Sequence, residues 1–237
     1  MTNVITGASA VIFDLEGVVV DTESTWDEAQ GVLLARRGHS YDRNALKHRL
    51  TGLGGDQAIL ILIDHYQLPD DPSELLNESR EIMIELLDRK IHYVPGALEF
   101  VHAAAAAVDV CVATSMDPSL FNAVLAGSDL GAVFPGPIFT PSVGVAAKPA
   151  PDLFLHAATA LGIDPEDCLV IEDSPTGITA AREAGIPCVG LCTTHERHRL
   201  SDANLVFAHW GEVPLPTGLG RDTARSRTST GTCAKSK

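Results

Sequence analysis

The chain has 237 residues, 45% hydrophobic and 20% charged, enough to bury a full core in one large domain or in a domain with an insert. Its 17 Lys and Arg against 31 Asp and Glu leave a formal net charge of −14. That field repels polyanions, and no basic stripe interleaved with aromatics offsets it, so nucleic acid is excluded as an expected partner.

The start of the chain lacks the basic and apolar regions of a leader, and no run of about 18 apolar residues follows. The expectation is a cytoplasmic protein with no membrane partner. The first apolar run, residues 10–13, is continuous rather than alternating, as in a strand covered on both faces. It ends in Asp14, Leu15, Glu16 and Gly17. Two carboxylates at this spacing after a rigid strand can divide labour, one as nucleophile and metal ligand and one as general acid and base. The same pattern also makes a good turn.

From residue 23 to about 92 the apolar residues recur at helical spacing, at Leu33 and Leu34, at Ile59, Leu60 and Ile63, and at Ile82, Ile84, Leu86 and Leu87. Gly52 to Gly55 and Pro69 to Pro72 interrupt them. A crossover this long predicts a separate helical cap over residues 23–91, hinged near 21–24 and 91–96, that excludes water and selects substrate.

Further apolar runs at 108–113, 137–140, 168–171, 188–192 and 204–207 complete a mostly parallel sheet, hence a doubly wound, Rossmann-like α/β core built from residues 1–22 and 92–216. In such sheets reactive groups follow the carboxyl ends of strands. Thr114 and Ser115 follow the second run, where a hydroxyl and free amides either hold phosphate oxygens or cap the next helix. Lys148 precedes Pro149 and Pro151, which fix the backbone so that its ammonium can be aimed; the alternative is a solvated lysine before a helix.

Glu172 and Asp173 end the fourth run. Ser174 suits an N-cap, Pro175 the first helical turn and Gly185 the stop, so both acids are fixed at a strand-to-helix junction, where they either ligate a hard cation or favour the helix dipole. Cys188, Cys192, His195 and His198 have no usual zinc spacing, and the two cysteines read as neighbours on one face of a strand. The five cysteines are odd in number and suit reduced core thiols. Residues 217–237 are polar and are expected to form a disordered tail.

Taken in order, these four segments resemble the motifs of the haloacid dehalogenase (HAD) superfamily, specifically its phosphatases and β-phosphoglucomutase-like members with an inserted helical C1 cap. The resemblance runs from about residue 10 to 213. It implies a Mg²⁺-dependent phosphatase of a small sugar-like phosphomonoester, acting through an aspartyl-phosphate on Asp14. It further implies Asp14, Glu16 (by its backbone carbonyl), Asp173 and Glu172 as metal ligands, Glu16 as acid and base, and Lys148, Thr114 and Ser115 around the phosphoryl oxygens. The partner is a small phosphorylated metabolite and the protein is expected to be a monomer.

The chain departs from the pattern at Glu16, where members of this type usually carry Asp; enolase-phosphatases of the superfamily share the Asp-x-Glu-Gly form. The longer side chain leaves a non-catalytic phosphometabolite-binding protein as one alternative. A phosphomutase of β-phosphoglucomutase type is the other. Trp26 stands where a mutase would carry a histidine and Gly55 where an arginine would fall, and both favour hydrolysis. In the cap, Trp26 and Arg80 are the candidate substrate contacts.

Overall fold

The computed structural model describes residues 3–50, 55–89 and 91–217. After a one-turn helix α1 (Asn3–Thr6) the chain forms β1 (Ala10–Phe13), then four successive helices, α2 (Glu23–Ala35), α3 (Arg43–Leu50), α4 (Gly55–Tyr66) and α5 (Pro72–Arg89). It returns through α6 (Ala97–Ala105) to β2 (Asp109–Ala113), α7 (Pro118–Gly127), the short α8 (Leu130–Val133) and β3 (Ile138–Phe139). Then follow α9 (Asp152–Leu161), β4 (Cys168–Glu172), α10 (Pro175–Glu183), β5 (Cys188–Leu191) and β6 (Leu205–Phe207). The six apolar runs are the six strands, trimmed at their ends, with Glu172 drawn into β4.

All neighbouring strands are parallel, in the order β3-β2-β1-β4-β5-β6. Burial on both faces explains the unbroken apolar runs. Val11 and Phe13 of β1 face one apolar layer together with Val110, Val112, Leu169 and Ile171. Ala10 and Ile12 face the other with Cys111, Ala113, Cys168 and Val170. Cys188 of β5 packs in this second layer, and Cys192, read from the sequence as a strand residue, lies one position past the strand and packs partly buried against the same layer.

Phe13 is fully buried, with ring centroids 6.2 Å from Phe100, 6.1 Å from Phe134 and 6.0 Å from Trp210. Burying such a ring contributes about 1.5–3 kcal/mol, and here it fixes the strand end that carries Asp14. The chain winds outward from β1 through β2 to β3, then crosses back to place β4 on the other flank of β1. That reversal leaves a crevice between the ends of β1 and β4, the place where doubly wound sheets bind ligands.

Everything described between residues 23 and 89 that is regular is helical. Leu33, Leu34, Ile59, Ile82 and Leu87 are buried as the spacing predicts, but Leu60 is 55% exposed. α4 is apolar on nearly every side, so its pattern alone could not say which face turns inward. The residues of the Gly52 turn, 51–54, lie outside those described, as do residues 218–237 of the expected tail. Thr217, assigned to that tail, donates from its hydroxyl to the Thr6 carbonyl at 3.0 Å.

The two crossings between core and helical insert lie side by side. The Asp21 amide donates to His92 O at 2.7 Å, and the Val94 amide to Val19 O at 2.9 Å. Trp210 pins the first crossing by donating from Nε1 to Val18 O at 3.0 Å.

Candidate active site

Asp14 is the first residue past β1, and its amide donates to Ile171 O at 2.9 Å. Since Phe13 pairs with Ile171, continuing the register brings Asp14 beside Glu172. Lys148 arrives from the loop before α9. Its own amide donates to Ser115 Oγ at 3.1 Å, which ties that loop to the end of β2. The lysine side chain, only 5% exposed, donates from Nζ to Asp14 Oδ1 and, at 2.8 Å, to Glu172 Oε1.

The other oxygen of Glu172 is held just as firmly. Oε2 accepts from the amides of Asp173 (2.9 Å) and Ser174 (2.8 Å) and from the Ser174 hydroxyl (2.8 Å). Ser174 Oγ in turn accepts from Gly177 N at 3.1 Å, making it the N-cap of α10, with Pro175 in the first turn. Local helix signals therefore aim an acid inward. Asp173 is buried, its carboxylate bonded to Thr194, and His195 Nδ1 lies 3.0 Å from the Asp173 carbonyl.

Oxygens of Asp14, Glu172 and Asp173 all fall within 4.8 Å of one another. Burial pushes the Asp14 carboxyl up to about 6 against the pull of Lys148, with Glu172 adding to the rise. Burial and the neighbouring Glu172 and Asp14 raise Asp173 well above the usual carboxylate range. Burial alone would lower the Lys148 ammonium, but Asp14 and Glu172 more than reverse this and hold it above its ordinary value. Three carboxylates around one ammonium are an oxygen-rich, under-neutralised set, which fits a hard divalent cation such as Mg²⁺.

Glu16 also faces the crevice. Its Oε1 accepts from the Thr22 hydroxyl at 3.3 Å, and burial, reinforced by the Asp14 charge, pushes its carboxyl up to about 7. Gly17 follows with φ of 71°, and a Cβ there would come within 1.9 Å of Asp173 Oδ2. Only glycine allows the turn and the acid to approach so closely.

These groups floor a cleft of about 450 Å³ whose roof is the helical insert. Asp14, Glu16, Ser115, Lys148, Glu172, Asp173 and Trp26 all line it. Thr114 is 1% exposed, accepts from the Met116 amide at 3.1 Å and lies behind that lining. The cap of the following helix is Asp117, which accepts from Ser119 N at 2.9 Å. Arg80 is exposed on α5 and outside the lining, which takes its neighbour Ser79 instead. Sequence reasoning missed Gln30, Lys47 and Thr194, which also line the cleft. Of these, Gln30 had a readable signal, a polar residue on the same helical face as Trp26.

A family model described as haloacid dehalogenase-like hydrolase matches residues 8–185. The chain belongs to that family. This hydrolase is 34% identical over 195 residues to a probable pseudouridine-5'-phosphatase of Drosophila melanogaster, covering 75% of this chain and 79% of that one. It is 31% identical over 181 residues to a fructose-1-phosphate phosphatase of Escherichia coli, covering 76% and 95%. Among solved structures the hydrolase is similar to a HAD family hydrolase of Deinococcus radiodurans with bound phosphate and sodium, at a TM-score of 0.75 and 30% identity over 87% of this chain and 93% of that one. Among the described residues, no helix is long and apolar enough to cross a membrane.

Proposed function

We propose that this hydrolase is a Mg²⁺-dependent phosphatase of a small, sugar-like phosphomonoester, working through an aspartyl-phosphate on Asp14. The observation that carries this reading is the meeting of Asp14, Lys148, Glu172 and Asp173 from three separate segments at the floor of one cleft. Similarity to enzymes named as phosphatases of small phosphorylated molecules supports it.

In the first step a carboxylate oxygen of Asp14 forms a bond to phosphorus as the bond to the leaving oxygen breaks, and the Glu16 carboxylic acid gives that oxygen its proton. In the second, Glu16 takes a proton from water, whose oxygen attacks phosphorus and releases phosphate and free Asp14. A carboxyl group held near neutrality can serve in both directions. Lys148 orients Asp14 and compensates charge on the phosphoryl oxygens, with the Ser115 amide as a further donor. When bound, Mg²⁺ supplies Lewis-acid stabilisation of those oxygens, and Asp14, Asp173, the Glu16 carbonyl and Glu172 are the groups that would hold it.

Trp26 and Gly55 line the cleft where a mutase would need cationic or proton-carrying side chains, and this favours hydrolysis over phosphoryl migration. Phosphate release with Mg²⁺ over a panel of sugar phosphates tests the reading. Asp14→Asn should fold and lose turnover; retained turnover would refute the nucleophile.

A further inference from the structure

Gln30 is only 7% exposed, and its Oε1 has no hydrogen-bond partner among the described residues. A buried acceptor left unpaired costs on the order of 1–3 kcal/mol, so an oxygen that the described residues leave unpaired at the cleft wall points to a partner that enters the cleft. α2 places Glu23, Trp26, Asp27 and Gln30 at i, i+3, i+4 and i+7, one face of the helix, and all four line the cleft. Asp27 is already engaged by the Tyr41 hydroxyl at 3.1 Å and by Arg43 Nε. Glu23, at the start of the stripe, is only partly buried, so Gln30 carries its fully buried acceptor without a partner among the described residues.

The chemistry of the missing partner follows. A carboxamide presents an oxygen that accepts and a nitrogen that donates, and a hydroxyl group complements either. Trp26, one turn away on the same face, offers a flat apolar wall suited to the C–H face of a sugar or polyol. Together they make a recognition surface for a neutral, hydroxylated leaving group.

We propose that Gln30 determines substrate specificity by hydrogen bonding to a hydroxyl of the leaving moiety, which restricts efficient substrates to sugar and polyol phosphates. This rests on the phosphatase reading above. The test compares Gln30→Met with the parent on fructose 1-phosphate and glycerol 3-phosphate, whose leaving groups bear hydroxyls, and on p-nitrophenyl phosphate, whose leaving group bears none. For the better of the two hydroxylated esters kcat/KM should fall roughly 10- to 100-fold, while p-nitrophenyl phosphate changes by less than about 2-fold. The free variant should unfold at the same or a higher denaturant concentration, because an unpaired buried acceptor has been removed.

Equal losses on both kinds of ester, or none on either, would overturn the proposal, as would a free variant of clearly lower stability. If the parent hydrolyses none of the three esters, the phosphatase reading fails on its own. The role of Gln30 is then read from thermal shifts. The parent should be stabilised more by fructose 1-phosphate than by inorganic phosphate, and Gln30→Met equally by both; unchanged preference in the variant would overturn it.

Discussion

A Cβ on Gly177 would lie 1.7 Å from Glu172 Oε1. Replacing a helical glycine with alanine ordinarily stabilises a helix by about 1 kcal/mol. Here the carboxylate cannot step aside, because Lys148, Ser174 and the Asp173 amide hold it. Gly177→Ala should therefore be destabilised by about 1–3 kcal/mol and should need more Mg²⁺ for half-maximal turnover. Denaturant melts and a Mg²⁺ titration check both, and a stabilised variant would show that Glu172 is not fixed.

Lys148 is contacted by two buried carboxylates, so removing its charge leaves them facing each other. Lys148→Met should lose turnover and be destabilised by roughly 3–5 kcal/mol, the range for breaking one side of a buried ion pair. The loss should be larger at pH 8 than at pH 5, where protonation of Asp14 relieves the uncompensated charge. Chemical denaturation at the two pH values measures the difference, and no difference would mean that the ammonium does not neutralise Asp14.

Metal and protons compete for the carboxylate oxygens of Asp14 and Asp173, while the Glu16 carboxyl, whose carbonyl rather than side chain would face the metal, adds to the proton uptake. Asp14 and Glu16 are raised to about 6 and about 7, and Asp173 is raised as well. The metal-free fold thus binds more protons than the unfolded chain between the ordinary carboxylate range and neutrality. Its stability contribution from these groups is complete below that range and is lost as pH rises through their folded values. Added Mg²⁺ should accordingly raise the Tm more at pH 8 than at pH 5, and a chelator should abolish the gain. Equal gains at both pH values would remove the Asp14 and Asp173 carboxylates from the metal site.

Much of this arrangement can be read from the chain alone because it is local. Asp14, Ser115 and Glu172 sit at the ends of strands buried on both faces, and Ser174, Pro175 and Gly185 carry their own helix signals. What stays hidden depends on contacts between distant segments. Thr194 reaches Asp173 only because the turn after β5 folds back over the end of β4. Ser115 meets the Lys148 amide across 33 residues. Leu60 and Arg80 show the same limit in the helical insert, where periodicity establishes a helix but not which side of it meets the cleft.

Glu16 stands where the sequence resemblance leads to an expectation of Asp, and its carboxyl is tied to Thr22 at the edge of the cleft. Glu16→Ala should still let Asp14 attack an ester whose leaving group needs no proton, but should slow the water step by roughly 100-fold or more. The decisive measurement is mass spectrometry of acid-quenched Glu16→Ala after brief mixing with p-nitrophenyl phosphate and Mg²⁺. One added phosphoryl group on the peptide containing Asp14 is the predicted result. A phosphoryl group on any other residue, or sustained turnover with no phosphorylated protein at any time, would contradict it.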